Sequence, residues 1–277
     1  MSDTKELTRH YSRSDLLGAI KRGLEALGKK RETATLDDLA LVDEFHVGGR
    51  QASIELLDQM DVSADQFVLD IGCGLGGPAR FAADYYGCKV AGVDLTEDYV
   101  TAGRVLCNWV GLSDKVSLRQ GSALNMPLVD GTFDAAYMMH VGMNIADKAA
   151  LCSEVYRLLR PGARFGIYDV MRVGEGELTF PVPWSSVPET SFVARPQEYK
   201  DALAAAGFKI VAERNRRDFA LDFFEKQRVR LAASDGLPPL SLHIVMGENT
   251  GEKLQNLVTN IAENRVAPVE VIARKIA

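Results

Sequence analysis

The stretch VLDIGCGLGG, residues 68–77, sets glycines at 72, 74, 76 and 77 directly behind an apolar run. The run reads as a strand and PARFAADYYG after it as a helix, so the glycines form the turn between them. Without a Cβ, Gly72, Gly74 and Gly76 can adopt conformations closed to other residues and let a ligand touch main chain. Two ligand classes suit the spacing. A dinucleotide would lay its pyrophosphate against the helix N-terminus. A sulfonium cofactor, S-adenosylmethionine, would lay its methionine end there, with its carboxylate near free N–H groups and its ammonium near an acid. Asp70, two residues before the first glycine, suits an ammonium and is awkward beside pyrophosphate. Asp94, at the end of the next apolar run, is placed to accept hydrogen bonds from the ribose hydroxyls of either cofactor.

From residue 66 onward, apolar runs of strand length alternate with amphipathic segments of helix length, the pattern of a largely parallel sheet covered by helices. Strands are predicted at 66–71, 88–94, 116–121, 133–139 and 164–170, with helices at 77–86, 97–110 and 147–159. Thr96 reads as an N-cap of the second helix, and Pro161-Gly162 ends the third. The proline-bearing segment 171–196 reads as a fixed-path loop. After it the pattern gives a helix at 196–206, a strand at 209–216, helices in FALDFFEKQRVRLAA and GEKLQNLVTNIAEN around a loop at 235–250, and a final edge strand in PVEVIARK. The first sixty residues carry helical spacing in SDLLGAIKRGLEAL and GGRQASIELLDQM. They form a cap expected over an open edge of the sheet. The chain thus divides into a cap and lid at 1–60 and a core at 61–277, with a substrate loop at 171–196 and a helical insertion at 219–264.

Among 277 residues, 47% are hydrophobic and 25% charged, the make-up of a globular chain with a full core. A net charge of −6 argues against a nucleic-acid surface, which would show a basic excess. Four cysteines stand without metal-ligand spacing, which points to no metal and to a reducing cytoplasm. Neither a signal core nor an apolar run of membrane-spanning length is present. The partner expected is a small-molecule acceptor, with no nucleic acid and no membrane; a homodimer remains open.

The glycine loop, VDL at 93–95, GSALNMPLVDGTFD at 121–134 and LLRPGARFGIYD at 158–169 resemble successive motifs of class I S-adenosylmethionine-dependent methyltransferases. The resemblance is nearest to the bacterial sarcosine/dimethylglycine branch and extends through HYSRSDLL, DEFHVGGR, MMHVGMNIADK, FPVPW and NIAENRVAPVEVIAR. It implies a Rossmann-like α/β fold with a mostly parallel seven-stranded sheet flanked by helices, and S-adenosylmethionine as cofactor. Gly72, Cys73 and Gly74 would then contact the methionine part, Asp94 the ribose and Leu95 the adenine face. Ser122 and Ala123 occupy places that usually hold an Asp and a small residue beside the adenine, so cofactor affinity is expected to be reduced. Tyr11 would either lie over the reactive methyl as part of a lid or pack at the surface or a helix start, and Gly49 and Met139 would approach the cofactor.

Methyl transfer from a sulfonium has an excellent leaving group, so in-line positioning away from water supplies much of the rate. His140, at the mouth of the sheet, can accept a proton or orient the nucleophile, or simply pack against the cofactor. Asn144 fixes a loop or meets substrate. His46 reads as a positioning residue or helix cap rather than a catalyst. Trp184 offers an aromatic wall to a cationic amine or a core residue, and Arg172 and Arg195 a carboxylate clamp or solvated arginines. The activity expected is methylation of a small amine, with O-methylation of a phenolic metabolite, a dinucleotide oxidoreductase or a non-catalytic cofactor-binding module as competing readings.

Overall fold

The computed structural model describes residues 10–11, 15–233, 236 and 238–276. Parts of the predicted cap, at 1–9 and 12–14, and of the predicted loop, at 234–235 and 237, lie outside the described residues, as does residue 277. Seven strands are observed: β1 (Phe67–Ile71), β2 (Lys89–Asp94), β3 (Val116–Gln120), β4 (Phe133–Met139), β5 (Leu159–Arg172), β6 (Phe208–Asn215) and β7 (Val266–Lys275). Their order in the sheet is β3-β2-β1-β4-β5-β7-β6. The first five strands pair in parallel, and β7 runs antiparallel to both β5 and β6. Strand order reverses at β1, so a crevice opens beyond its carboxyl end, where the glycine turn lies.

The helices are α1 (Leu16–Ala26), α2 (Leu36–Asp43), α3 (Gly49–Asp58), α4 (Gly77–Tyr85), α5 (Glu97–Trp109), α6 (Lys148–Leu158), α7 (Pro196–Ala206), α8 (Arg217–Ala232), α9 (His243–Met246) and α10 (Thr250–Ala262). On one face of the sheet, Leu151, Val155 and Leu158 of α6 and Leu203 of α7 pack against Leu69, Phe165 and Val271. On the other, Leu56 and Leu57 of α3 and Ala82 of α4 pack against Val68, Tyr137, Tyr168 and Ile272. Both faces are covered, which explains why the strands read as near-continuous apolar runs.

Three expectations need correction. The preface does not sit over an open edge: α3 lies on a sheet face, so close that a Cβ at Gly166 of β5 would meet Leu56 at 3.4 Å and collide with Met60. Meanwhile α1 and α2 pack with α5 through Ile20, Leu24, Leu39, Val42 and Leu106. Next, the last strand is not an edge. β7 is inserted between β5 and β6, and eight consecutive residues, Val266–Ala273, are buried. The one acidic residue of this buried run, Glu270, is accommodated because Gln59 Nε2 donates to it at 2.9 Å and Arg214 Nε at 2.6 Å, with Arg216 a further partner. Finally, β5 begins at Leu159, because Arg160-Pro161-Gly162 leaves α6 as a bulge against β4 rather than as a loop.

The preface is also locked to the glycine turn by a buried ion pair. Arg80 of α4 is fully buried; it pairs with Asp43 at the end of α2 and donates to Leu75 O at 2.7 Å and Gly103 O at 3.3 Å. Gly77 is required at this contact, since a Cβ there would strike the Asp43 backbone. Removing one partner of such a pair strands the other charge in the interior. Arg80→Met is therefore expected to destabilise the protein by about 3–5 kcal/mol. Urea unfolding monitored by circular dichroism provides the check, and a loss below about 1 kcal/mol would contradict the assigned role.

Candidate active site

A cavity of about 330 Å3 opens at the carboxyl ends of β1, β2 and β4. Its floor includes Asp70, Gly72, Cys73, Gly74, Asp94 and Leu95, and Ser122 and Ala123 flank it. Tyr11, Met139, His140, Asn144 and Trp184 line it too, so most of the residues singled out in the sequence converge here. Gly49 and Arg172 do not. Gly49 begins α3, and its carbonyl instead meets the His46 ring at 3.0 Å. Arg172 donates to Gly176 O at 2.6 Å and Arg195 to Glu175 at 2.7 Å, outside the lining. The expected carboxylate clamp is therefore absent from it.

The turn is built as the glycines require. Gly72, Gly74 and Gly76 have φ of 70°, 52° and 77°, in the left-handed region. A Cβ at Gly72 would collide with Val141. The N–H groups of this loop are not the free donors expected, however. Gly72 and Cys73 both donate to Val93 O, at 2.7 and 3.2 Å, and Gly74 donates to Asp94 Oδ2 at 2.9 Å. With these N–H groups engaged, positions 72–74 offer a pyrophosphate fewer free donors than the glycine spacing alone suggests. Asp94 also accepts from Thr96 N–H at 2.8 Å, which orients its carboxylate at the end of β2.

Asp70 is the decisive group. It is buried and lines the cavity; its Oδ2 makes no hydrogen bond of normal geometry, with the similarly unsatisfied Tyr137 hydroxyl the polar group nearby. Burial pushes its carboxyl up to about 8; the nearby Tyr137 hydroxyl opposes this and the Asp94 charge reinforces it. A second buried acid, Asp43, was not legible in the sequence: its Oδ1 also lacks a partner and lines the same cavity. Burial pushes it up to about 6, against the pull of Arg80. Orphaned buried carboxylate oxygens of this kind invite a cationic ligand.

Above the floor, His140 follows β4 with φ of 54°. Its backbone N–H donates to Tyr168 O at 2.7 Å, while its Nε2 is buried without a partner. Burial first, and then the His46 ring 6.1 Å away, hold its pKa well below the ordinary histidine value, so the imidazole is neutral. Tyr11 reaches Asn144 Oδ1 at 3.4 Å, bringing the preface over this end of the cavity. Phe45, Met143, Pro183, Trp184, Phe192 and Leu257 complete an apolar chamber in which the indole N–H of Trp184 is already satisfied by Ser191 Oγ at 2.9 Å. Among the described residues, no lysine or arginine lines it. The chamber is held from behind by Lys148, which donates to Phe192 O at 2.9 Å and to Ile145 O, and by Met143 O, which accepts from Phe192 N–H at 2.8 Å. No group of three His, Cys, Asp or Glu among the described residues could hold a metal ion. Nor is any described helix long and apolar enough to cross a membrane.

A sheet of this order with its reversed strand, and a glycine cradle flanked by two carboxylates, define the class I methyltransferase architecture. Residues 69–167 match the family described as a methyltransferase domain. The sterol 24-C-methyltransferase of Eremothecium gossypii is 31% identical over 169 residues, covering 59% of this chain and 45% of that protein. The chain spans half or less of the length of the curated relatives it matches. The geranyl diphosphate C-methyltransferase of Streptomyces coelicolor A3(2), in complex with Mg2+, geranyl diphosphate and S-adenosyl-L-homocysteine, superposes with a TM-score of 0.71 at 19% identity, over 100% of this chain and 98% of that one. Phosphoethanolamine N-methyltransferase 2 of Haemonchus contortus, in complex with S-adenosyl-L-methionine, gives 0.69 at 19% identity, over 93% of this chain and 60% of that one. At this identity the solved structures establish the fold.

The elevated carboxyl of Asp70 would make pairing with a ligand ammonium pH-dependent. Below about 8 it is mostly protonated, and an ammonium that needs the carboxylate must release that proton on binding. Affinity for S-adenosylhomocysteine is expected to rise with pH toward about 8 and then level off. The slope is at most about tenfold per pH unit. Calorimetry across pH checks this, and Asp70→Asn should flatten the curve; an unaltered slope in that variant would remove Asp70 from the ammonium site.

Proposed function

We propose that this protein transfers a methyl group from S-adenosylmethionine to a small-molecule acceptor, and that the receiving atom is an amine nitrogen. The observation carrying this reading is the buried oxygen of Asp70 that makes no hydrogen bond of normal geometry, set beside a glycine turn that opens onto a neutral histidine in an apolar chamber. Bound there, the cofactor supplies an electrophilic methyl on a sulfonium whose departure needs no acid. Asp70 holds the ammonium, Asp94 the ribose, and Leu95, Ser122 and Ala123 the adenine. Tyr11 and the helical preface act as the lid over the cavity, excluding water. His140, neutral and with an unsatisfied ring nitrogen, orients the acceptor by hydrogen bonding.

The chamber supports an amine of a particular kind. Its apolar walls disfavour an ammonium relative to the neutral amine, the form with a lone pair to donate. Trp184 and Phe192 present aromatic surface to the positive charge that the nitrogen regains on methylation. A second reading, transfer to an alkene carbon, is favoured by those same aromatic walls and by the sterol C-methyltransferase relative. In either case the enzyme works in a reducing cytoplasm, where its four buried cysteines stay free.

The test is S-adenosylhomocysteine release across a panel of apolar amines, phenols and alkenes, with the product's methyl position read by NMR. Apolar amines should turn over fastest. Methyl on carbon would favour the second reading, and stabilisation by NAD but not by S-adenosylhomocysteine would defeat both. Asp94→Ala is expected to weaken S-adenosylhomocysteine at least about tenfold, the worth of one charge-assisted hydrogen bond in a buried site. Unchanged affinity by calorimetry would take Asp94 out of the ribose role.

A further inference from the structure

We propose that His46, backed by Ser53 and Glu44, is the group that takes the acceptor's proton, an assignment that rests on the methyltransferase reading. His46 lines the cavity although its side chain is almost wholly buried. Its Nε2 lies 3.0 Å from Gly49 O and 3.2 Å from Ser53 Oγ. A carbonyl oxygen can only accept, so Nε2 carries the ring proton. The Ser53 hydroxyl agrees with this: it donates to Glu44 Oε2 at 2.9 Å, leaving its lone pairs to Nε2–H. With Nε2 committed to the protein, Nδ1 is the nitrogen that bears a lone pair and is left to meet a ligand.

The electrostatics separate the two cavity histidines. A proton on His46 Nδ1 creates an imidazolium 3.6 Å from the Glu44 carboxylate, which is buried and held by Arg50 Nε at 2.6 Å. Glu44 stabilises that cation; Arg50, the other charge beside the ring, opposes it more weakly. The remaining titratable neighbours, His140 and Tyr168, lie at ring-centroid distances of 6.1 and 6.3 Å. His140 has no such support. No carboxylate acts on it, and a proton on its buried ring would meet His46 as its nearest charge partner. Burial holds both rings below the ordinary histidine value, but at His46 alone a neighbouring carboxylate counters part of that penalty.

In the resulting step a proton moves from the arriving ammonium to Nδ1 and frees the nitrogen lone pair. That pair forms the new N–C bond, the pair of the breaking C–S bond stays on sulfur, and His46 returns its proton to water as the product leaves. Glu44 and Ser53 are positioning residues. They fix the tautomer and stabilise the cation without touching the acceptor.

Two measurements test this on the full chain. In the wild type with S-adenosylhomocysteine bound, long-range 1H–15N NMR should show His46 as the Nε2–H tautomer, and Glu44→Gln should lower its pKa. An Nδ1–H tautomer, or a His46 pKa indifferent to Glu44→Gln, would overturn the proposal without any activity being measured. In turnover, His46→Gln keeps an amide group near the Nε2 position. It should lower kcat/KM at pH 7 by about 10²–10⁴ with S-adenosylhomocysteine affinity nearly unchanged, and should regain activity as pH rises and solvent deprotonates the amine. A loss that is flat with pH, or that tracks lost S-adenosylhomocysteine affinity, would mark a structural role and overturn it. Failure of the wild type to bind S-adenosylhomocysteine would instead strike the underlying methyltransferase reading, and is seen before any variant is made.

Discussion

The structure turns on keeping the carboxyl of Asp70 buried at the end of a central strand without a hydrogen bond of normal geometry to one of its oxygens. Burying a carboxyl is costly, and the cost is visible in the upward displacement of its pKa. The sheet makes the position available. Strand order reverses at β1, the glycine turn removes side chains, and the N–H groups of Gly72, Cys73 and Gly74 are spent on Val93 and Asp94. Had those donors been free, Asp70 could have satisfied itself locally or an anion could have occupied the turn. Because they are spent, the turn at 72–74 offers an anion few donors, while the Asp70 carboxyl beside it can pair with a cation.

The helical preface completes what the sheet begins. Asp43 and Arg80 form a buried pair that fastens α2 to the first turns of α4, directly behind the glycine loop. The same chain segment then delivers Phe45 and His46 to the cavity and Glu44 and Ser53 behind them. A lid hung on a buried ion pair is not a loosely appended domain. Its contacts with α5 on one side and with β5 on the other make it part of the scaffold that fixes the histidines.

The legible and the hidden parts divide by physical range. Strand and helix alternation, the glycine turn, Asp70 and Asp94 were readable because each depends on local pattern: an apolar period, a conformation that needs no Cβ, a strand-terminal acid. The placement of β7 between β5 and β6 was not, because edge or centre is decided by pairing across the chain, although the unbroken apolar run VAPV hinted at burial on both faces. Arg80 was invisible for a related reason. An arginine in a helix reads as solvated unless its partner, here 37 residues earlier, is known to face it. Arg172 failed in the opposite direction: a plausible clamp beside the substrate loop spends its guanidinium on Gly176.

The proposed choice of acceptor rests on the chamber's charge pattern more than on the fold. A sheet of this kind serves acceptors as different as a sterol and a phosphorylated amine in the relatives named above, so architecture alone discriminates little. What discriminates is the wall. An acceptor bearing a carboxylate or phosphate must surrender hydration for a site whose described lining holds acids, histidines and apolar side chains but no lysine or arginine. That desolvation would go uncompensated. An uncharged or transiently cationic acceptor gives up far less and gains contact with Trp184 and Phe192. Burial in the chamber would lower the pKa of an incoming ammonium as it lowers that of the His46 imidazole proposed to receive its proton. Proton transfer between them is therefore less mismatched than their values in water imply, and the fixed carboxylate of Glu44 shifts the balance toward the imidazole.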